Sequence, residues 1–208
     1  KLSALVSFPA AAGLMALNAP IMRTLFERGR FDRDSTALAA SCLLFFAVGL
    51  PFVSGVKVVA PAFFSLKDTR TPVVIGVVVM LANAAVSVGL MGSLRVGGLA
   101  LSLSLSQILN FALLVVWLER KIGPTDKRRW AASAARSAVA AAAMGVALRL
   151  AWPALGVEGA AFAVRAAALA GAVAAGILVY FGLLRLISPG DLKSAVGLLK
   201  RAAVREAP

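Results

Sequence analysis

The sequence predicts an all-α membrane protein that crosses the bilayer six times and ends in a short amphipathic helix. Three observations lead there. Of 208 residues, 61% are hydrophobic and 15% are charged, where a soluble domain is roughly 45–50% apolar and about 25% charged. The mean hydropathy is +0.90, more apolar character than a water-soluble core of this size could absorb. The apolar residues also gather into runs of about 20, the length that crosses hydrocarbon as a helix.

The runs follow one another with short breaks. Leu2 to Met22 carries no charge. It exceeds the apolar stretch of a signal peptide, about 7–15 residues, and five more runs follow, so it is read as a true span. The second run extends from Ser35 to Leu66 with Lys57 as its one charge and with Pro51 and Pro61 inside it. A proline removes a backbone hydrogen bond and kinks a helix. Such breaks survive in membranes where they face protein or a wet cavity. Thr71 to Leu94 and Val96 to Leu118 are both uncharged. Trp130 to Trp152 holds only Arg136 and Arg149, near its ends, and Ala166 to Leu184 is the last clean run. Beyond Pro189, Leu192, Val196 and Leu199 share one helical face while Lys193, Lys200 and Arg201 lie elsewhere. That pattern fits a helix lying on the membrane surface, capped by Ser188 or Asp191; the alternative is a frayed, solvated tail.

The net charge is +13. The basic residues do not form a stripe on a polar domain, so no nucleic-acid partner is expected. They sit in the gaps between apolar runs, where an anionic lipid surface accounts for them. With the side holding Lys1 called near, fourteen Lys and Arg are near and seven are far. Positive residues favour the cytoplasm, which makes the near side and both chain ends cytoplasmic. The far-side loop RTLFERGRFDRD runs against this bias.

Cys42 is the single cysteine and there is no histidine. No intrachain disulfide is possible, and zinc, Ser–His and Cys–His chemistry lack their residues. Enzymes acting on lipid-linked sugars need carboxylates or a metal at a membrane boundary. Here the nine acidic residues are scattered in loops. The densest group, Glu27, Asp32 and Asp34, is interleaved with arginines and reads as a salt-bridged loop. No catalytic residue, metal site or cofactor is expected.

Ionisable and polar residues inside spans are costly and are functional candidates. Lys57 either faces a cavity or an acidic partner, or snorkels to the near interface. Asn83 and Ser87 lie one turn apart on the third run. Ser102, Ser104, Ser106, Gln107 and Asn110 lie on the fourth. They serve either to pack helices by hydrogen bonds or to form a cation site or polar wall along a transport path. Between the second and third runs, Asp68 and Thr69 can cap the helix that begins near Thr71, with Pro72 in its first turn. Lys67 and Arg70 can meet lipid phosphates.

Four motifs in order carry a resemblance. They are Phe26-Glu27-Arg28-Gly29 followed by Phe31; Gly49-Leu50-Pro51; Lys57 with Ala60-Pro61-Ala62-Phe63-Phe64; and Asp68-Thr69-Arg70-Thr71-Pro72. Together they resemble the MurJ/MviN family of lipid II flippases, in the multidrug/oligosaccharidyl-lipid/polysaccharide exporter superfamily. The resemblance implies helices nine to fourteen of a fourteen-helix fold: residues 1–120 as four helices of the C-terminal lobe, 121–187 as the final helix pair, and 188–208 as a cytoplasmic tail. It implies a cytoplasmic-membrane protein that flips lipid-linked peptidoglycan precursor by alternating access. Its partners would be the bilayer, that precursor, and an N-terminal lobe absent from this chain. That lobe builds most of the family's arginine-lined cavity, so no cavity residue transfers here. Some members hold sodium with an Asn and an Asp one turn apart; Asn83 matches the first and Ser87 stands in place of the carboxylate. The Asp68 turn becomes a cytoplasmic hinge with either a capping or a gating role. Another exporter of the superfamily, a polysaccharide-lipid flippase or drug/cation antiporter, is the nearest alternative. A scaffold without transport is the other. The chain opens on Lys1 rather than Met, as a piece of a longer protein would.

Overall fold

A computed structural model describes residues 2–27, 32–94, 96–123, 127–157 and 159–187. Among these the chain forms seven α-helices: α1 (Leu2–Ala16), α2 (Asn18–Phe26), α3 (Arg33–Ser65), α4 (Arg70–Leu94), α5 (Val96–Ile122), α6 (Lys127–Ala154) and α7 (Phe162–Ile187). The five from α3 to α7 are long and apolar enough to cross a membrane. The amphipathic tail expected after Pro189 lies outside the described residues.

The first expected span is a bent pair. α1 and α2 meet at Leu17 with a 70° turn, and they make a sixth span only if taken together. The cause sits three residues on. Pro20 has no N–H to offer the carbonyl of Ala16, and its ring crowds that carbonyl. Leu17 accordingly leaves the helical region, at φ −105° and ψ 17°. Asn18 fills the gap: its Oδ1 accepts from the Ala19 N–H at 2.7 Å and its Nδ2 donates to the Ala40 carbonyl at 3.3 Å. Hydropathy registers no break here because no charged residue lies between Leu2 and Met22 and the bend falls inside that run.

By contrast α3 continues as one helix of 33 residues through Pro51 and Pro61. That is about 50 Å of helix, longer than the roughly 30 Å of hydrocarbon it has to cross. α5 and α6 end on Gly123 and Gly156, both at positive φ, a backbone conformation that favours glycine.

The packing order is not the chain order. α4 lies on α5, α5 on α3, α3 on α1, α1 on α6, and α6 on α7, while α2 bridges α3 and α7. Neighbouring α3 and α4 share very little surface. Close approach is set by small residues. A Cβ on Gly98 would stand 2.6 Å from the Leu90 carbonyl oxygen, and one on Gly49 would stand 2.7 Å from the Ser104 hydroxyl. Two apolar clusters result. One joins α1, α6 and α7 through Leu5, Met144, Tyr180 and Leu184, with Leu17 of the bend beside them. The other joins α3, α4 and α5 through Phe63, Ile75, Val79 and Leu114. Much of the remaining apolar surface, notably Val73, Val77, Met80, Leu81 and Val88 on α4, is exposed, as a lipid-facing or partner-facing helix requires.

Candidate functional site

The α3–α4 turn is built from both sides. Lys67 adopts the left-handed conformation at φ 57°. The Asp68 N–H reaches back to the Phe63 carbonyl at 2.9 Å and the Lys67 N–H to the Phe64 carbonyl at 3.0 Å, the paired bonds of a Schellman ending. The same Asp68 starts the next helix: its Oδ1 accepts from the Thr71 N–H at 3.0 Å. Its Oδ2 is clamped by Lys121 Nζ from the end of α5 at 2.5 Å. The ammonium beside it, helped by the Thr71 donors, holds the Asp68 carboxyl well below its ordinary value of 3.8. Thus one aspartate ties three helices at the near end. Thr69 and Arg70 are exposed, and Thr71 and Pro72 are half-buried. The capping role was legible in the sequence. The partner Lys121 was not, because it comes from a helix two elements later.

Lys57 projects from α3 about 12 Å before its near end and is exposed. None of the ion pairs given by the described residues involves it.

The polar residues of α4 and α5 divide. Ser87 and Ser102 share a 2.6 Å hydrogen bond across the helix pair. Ser106 donates to the Ser102 carbonyl at 2.8 Å, and Ser104, on the opposite face, donates to the Phe45 carbonyl of α3 at 2.6 Å. α4 and α5 run antiparallel, so Asn83 stands level with Ser106; its Oδ1 is buried without a hydrogen-bond partner. Gln107 lies about 140° around α5 from Ser102, away from this seam, and Asn110 is half-buried beyond it. Of the seven polar residues grouped by the sequence, Asn83, Ser87 and Ser102 therefore share the α4–α5 seam, Ser104 turns to α3, and Gln107 lies off it. The seam offers hydroxyl and amide oxygens and no carboxylate.

At the far end, Asp32 caps α3 by accepting from the Ser35 N–H at 2.8 Å, and that bond holds its carboxyl below the ordinary range. Glu27 ends α2. It lines a cavity of about 420 Å³ with Arg23, Arg33, Thr36 and Arg165. Phe26 is exposed beside it; Arg28 and Gly29 lie outside the described residues. No spacing in the sequence joins α2, the start of α3 and the start of α7, so this gathering was not legible. Among the described residues, no group of three or more His, Cys, Asp or Glu is placed to hold a metal.

These features define a polytopic helical membrane protein with one charged turn clamped at one end and an arginine-lined cavity at the other. Known proteins place it more narrowly. The family model described as "Lipid II flippase MurJ" matches residues 1–183. A probable lipid II flippase MurJ of Rhizobium meliloti (strain 1021) is 31% identical over 95% of this chain and 38% of its own length. One of Vibrio cholerae serotype O1 is 33% identical over 91% of this chain and 37% of its own. A solved structure titled "Lipid II flippase MurJ, inward closed conformation" superposes with a TM-score of 0.69 over 92% of this chain and 38% of that one, at 22% identity. The chain belongs to the lipid II flippase MurJ family. It spans under two fifths of the length of the relatives it matches.

Proposed function

We propose that this chain is the C-terminal part of a lipid II flippase of the bacterial cytoplasmic membrane. In this reading the whole protein carries lipid-linked peptidoglycan precursor from the cytoplasmic to the outer leaflet by alternating access, for cell-wall synthesis. The observation that carries the reading is the family match across residues 1–183. The relatives' greater length supports an N-terminal lobe beyond this chain, and the exposed apolar face of α4 suits contact with that lobe or with lipid. Residues 1–120 act as four helices of the moving C-terminal lobe, 121–187 as a flanking helix pair, and 188–208 as a cytoplasmic tail. The near end, with Asp68, faces the cytoplasm, and Lys57 faces the path between the lobes. The seam of Asn83, Ser87 and Ser102 packs α4 on α5; with no carboxylate in it, it does not hold sodium tightly.

The test is complementation by the full-length gene carrying this chain, in a bacterium whose own flippase can be shut off. The readout is cleavage of lipid II by a membrane-impermeant enzyme added outside the cell. Restored growth with restored outside cleavage is expected. A folded, membrane-inserted protein that leaves the precursor trapped inside would sink the proposal. In the same assay Asp68→Ala separates capping from gating. Lower folded yield with unchanged transport per folded molecule assigns Asp68 to capping. Full yield with lost transport assigns it to gating.

A further inference from the structure

The cavity at the far end has a composition that the packing of three helix ends does not require. Arg23 of α2, Arg33 of α3 and Arg165 of α7 line it together with a single carboxylate, Glu27. Arg33 and Arg165 alone outnumber that carboxylate among the described lining residues. The Arg165 Nε is buried without a hydrogen-bond partner among the described residues, and so is the Glu27 Oε2. A buried charged donor left unpaired is costly, which marks the wall as built for something that fills it. The cations are also of one kind. All seven far-side positive residues are arginine, and none of the chain's seven lysines is on that side. Lysine serves equally well as a diffuse positive charge. Arginine's planar fork is what matches a phosphate with paired hydrogen bonds. Positive residues at the outer face also run against the usual membrane bias, so the gathering of three of them in one cavity calls for a local reason. At about 420 Å³, the space exceeds one phosphate group and admits a diphosphate or a phosphodiester headgroup.

We infer that the cavity between α2, α3 and α7 is an anion site for a phosphate group, with Arg33 and Arg165 as its principal ligands. Glu27 limits its affinity and keeps exchange fast. Binding itself does not depend on lipid flipping. The placement of the site at the outer leaflet and the argument from membrane bias rest on the topology proposed above; the cavity and its arginines do not.

The test uses the purified full-length protein in neutral detergent. It is titrated separately with fluorescent phosphatidylglycerol and with inorganic diphosphate, and binding is read by fluorescence and by ligand-induced shift of the melting temperature. Saturable binding of at least one anion is expected. Response to the lipid alone identifies a headgroup site; response to both identifies a general phosphate site. Arg165→Gln weakens binding by roughly tenfold or more, the scale of one lost charge-assisted bidentate contact, and Arg33→Gln adds to the loss. Glu27→Gln tightens it. Arg149→Gln removes the same charge from an exposed far-side position outside the cavity and leaves binding unchanged. Should Arg165→Gln fail to fold, Ala37→Glu serves instead: Ala37 is an exposed helical residue on the cavity wall, and a carboxylate there abolishes binding. Absence of saturable binding by either anion, or equal weakening by Arg149→Gln, overturns the assignment.

Discussion

At the scale of single residues, the α3–α4 turn carries a cost in one place and a tie in another. Lys67 holds a left-handed backbone that costs a residue with a Cβ about 1–2 kcal/mol. Glycine escapes most of that and loses part of the gain to its freer unfolded chain. Lys67→Gly is therefore expected to stabilise the protein by about 0.5–1 kcal/mol, seen as a higher midpoint in denaturant titration. Asp68 supplies the tie. Its carboxyl is depressed from 3.8 by Lys121 and by the Thr71 donors, so its contribution is complete above that ordinary value. The contribution disappears as pH falls through the lower folded-state value. Thermal midpoints of the purified protein should lose this contribution only below about pH 4. In Asp68→Asn that acid-side loss should be smaller and the midpoint at neutral pH already lowered. An identical acid profile in both proteins would remove Asp68 from the account.

At the scale of helices, tight approach rather than hydropathy decides who packs with whom. Gly98 meets the backbone of Leu90, whose carbonyl cannot swing aside as a side chain could. Gly98→Ala should push α4 off α5, break the Ser87–Ser102 hydrogen bond and cost about 1–3 kcal/mol. Gly92, with nothing within 4 Å of a Cβ, should tolerate alanine with stability unchanged or raised, because alanine is the better helix former. Thermal unfolding of the two variants side by side measures the contrast. The helices themselves were legible because six stretches of apolar sequence leave the backbone few choices in hydrocarbon. The bend at Leu17 was hidden for the same reason: a proline inside an apolar run changes the helix without changing its hydropathy. The Asp68 cap could be read because its donor lies three residues away. The Ser87–Ser102 bond could be suspected but not paired, since either serine could have faced α3, as Ser104 does.

At the scale of the molecule, the order α4, α5, α3, α1, α6, α7 brings residues far apart in the chain together. A Cβ on Gly145 would lie 3.5 Å from the Cβ of Ala12, at the lower edge of the usual disulfide range. With Cys42 replaced by Ser, Ala12→Cys with Gly145→Cys should form an intramolecular disulfide under mild oxidation. Val77→Cys on α4 with Val139→Cys on α6 should not. A cross-link in the second pair and none in the first would overturn the packing order. The same long-range closure explains why the far-end cavity escaped sequence reading. Arg23, Arg33 and Arg165 come from three helices, and what joins them is α2 resting on both α3 and α7.

The small shared surface of α3 and α4 has a consequence for biosynthesis. Helices leave the ribosome in chain order, and α4 emerges attached to a neighbour that barely holds it. Its real support, α5, is still to come, and α1 waits longer for α6. A nascent chain paused after Leu94 should thus carry α4 loosely in the bilayer, open to insertion chaperones and proteases, until synthesis of α5 locks the seam.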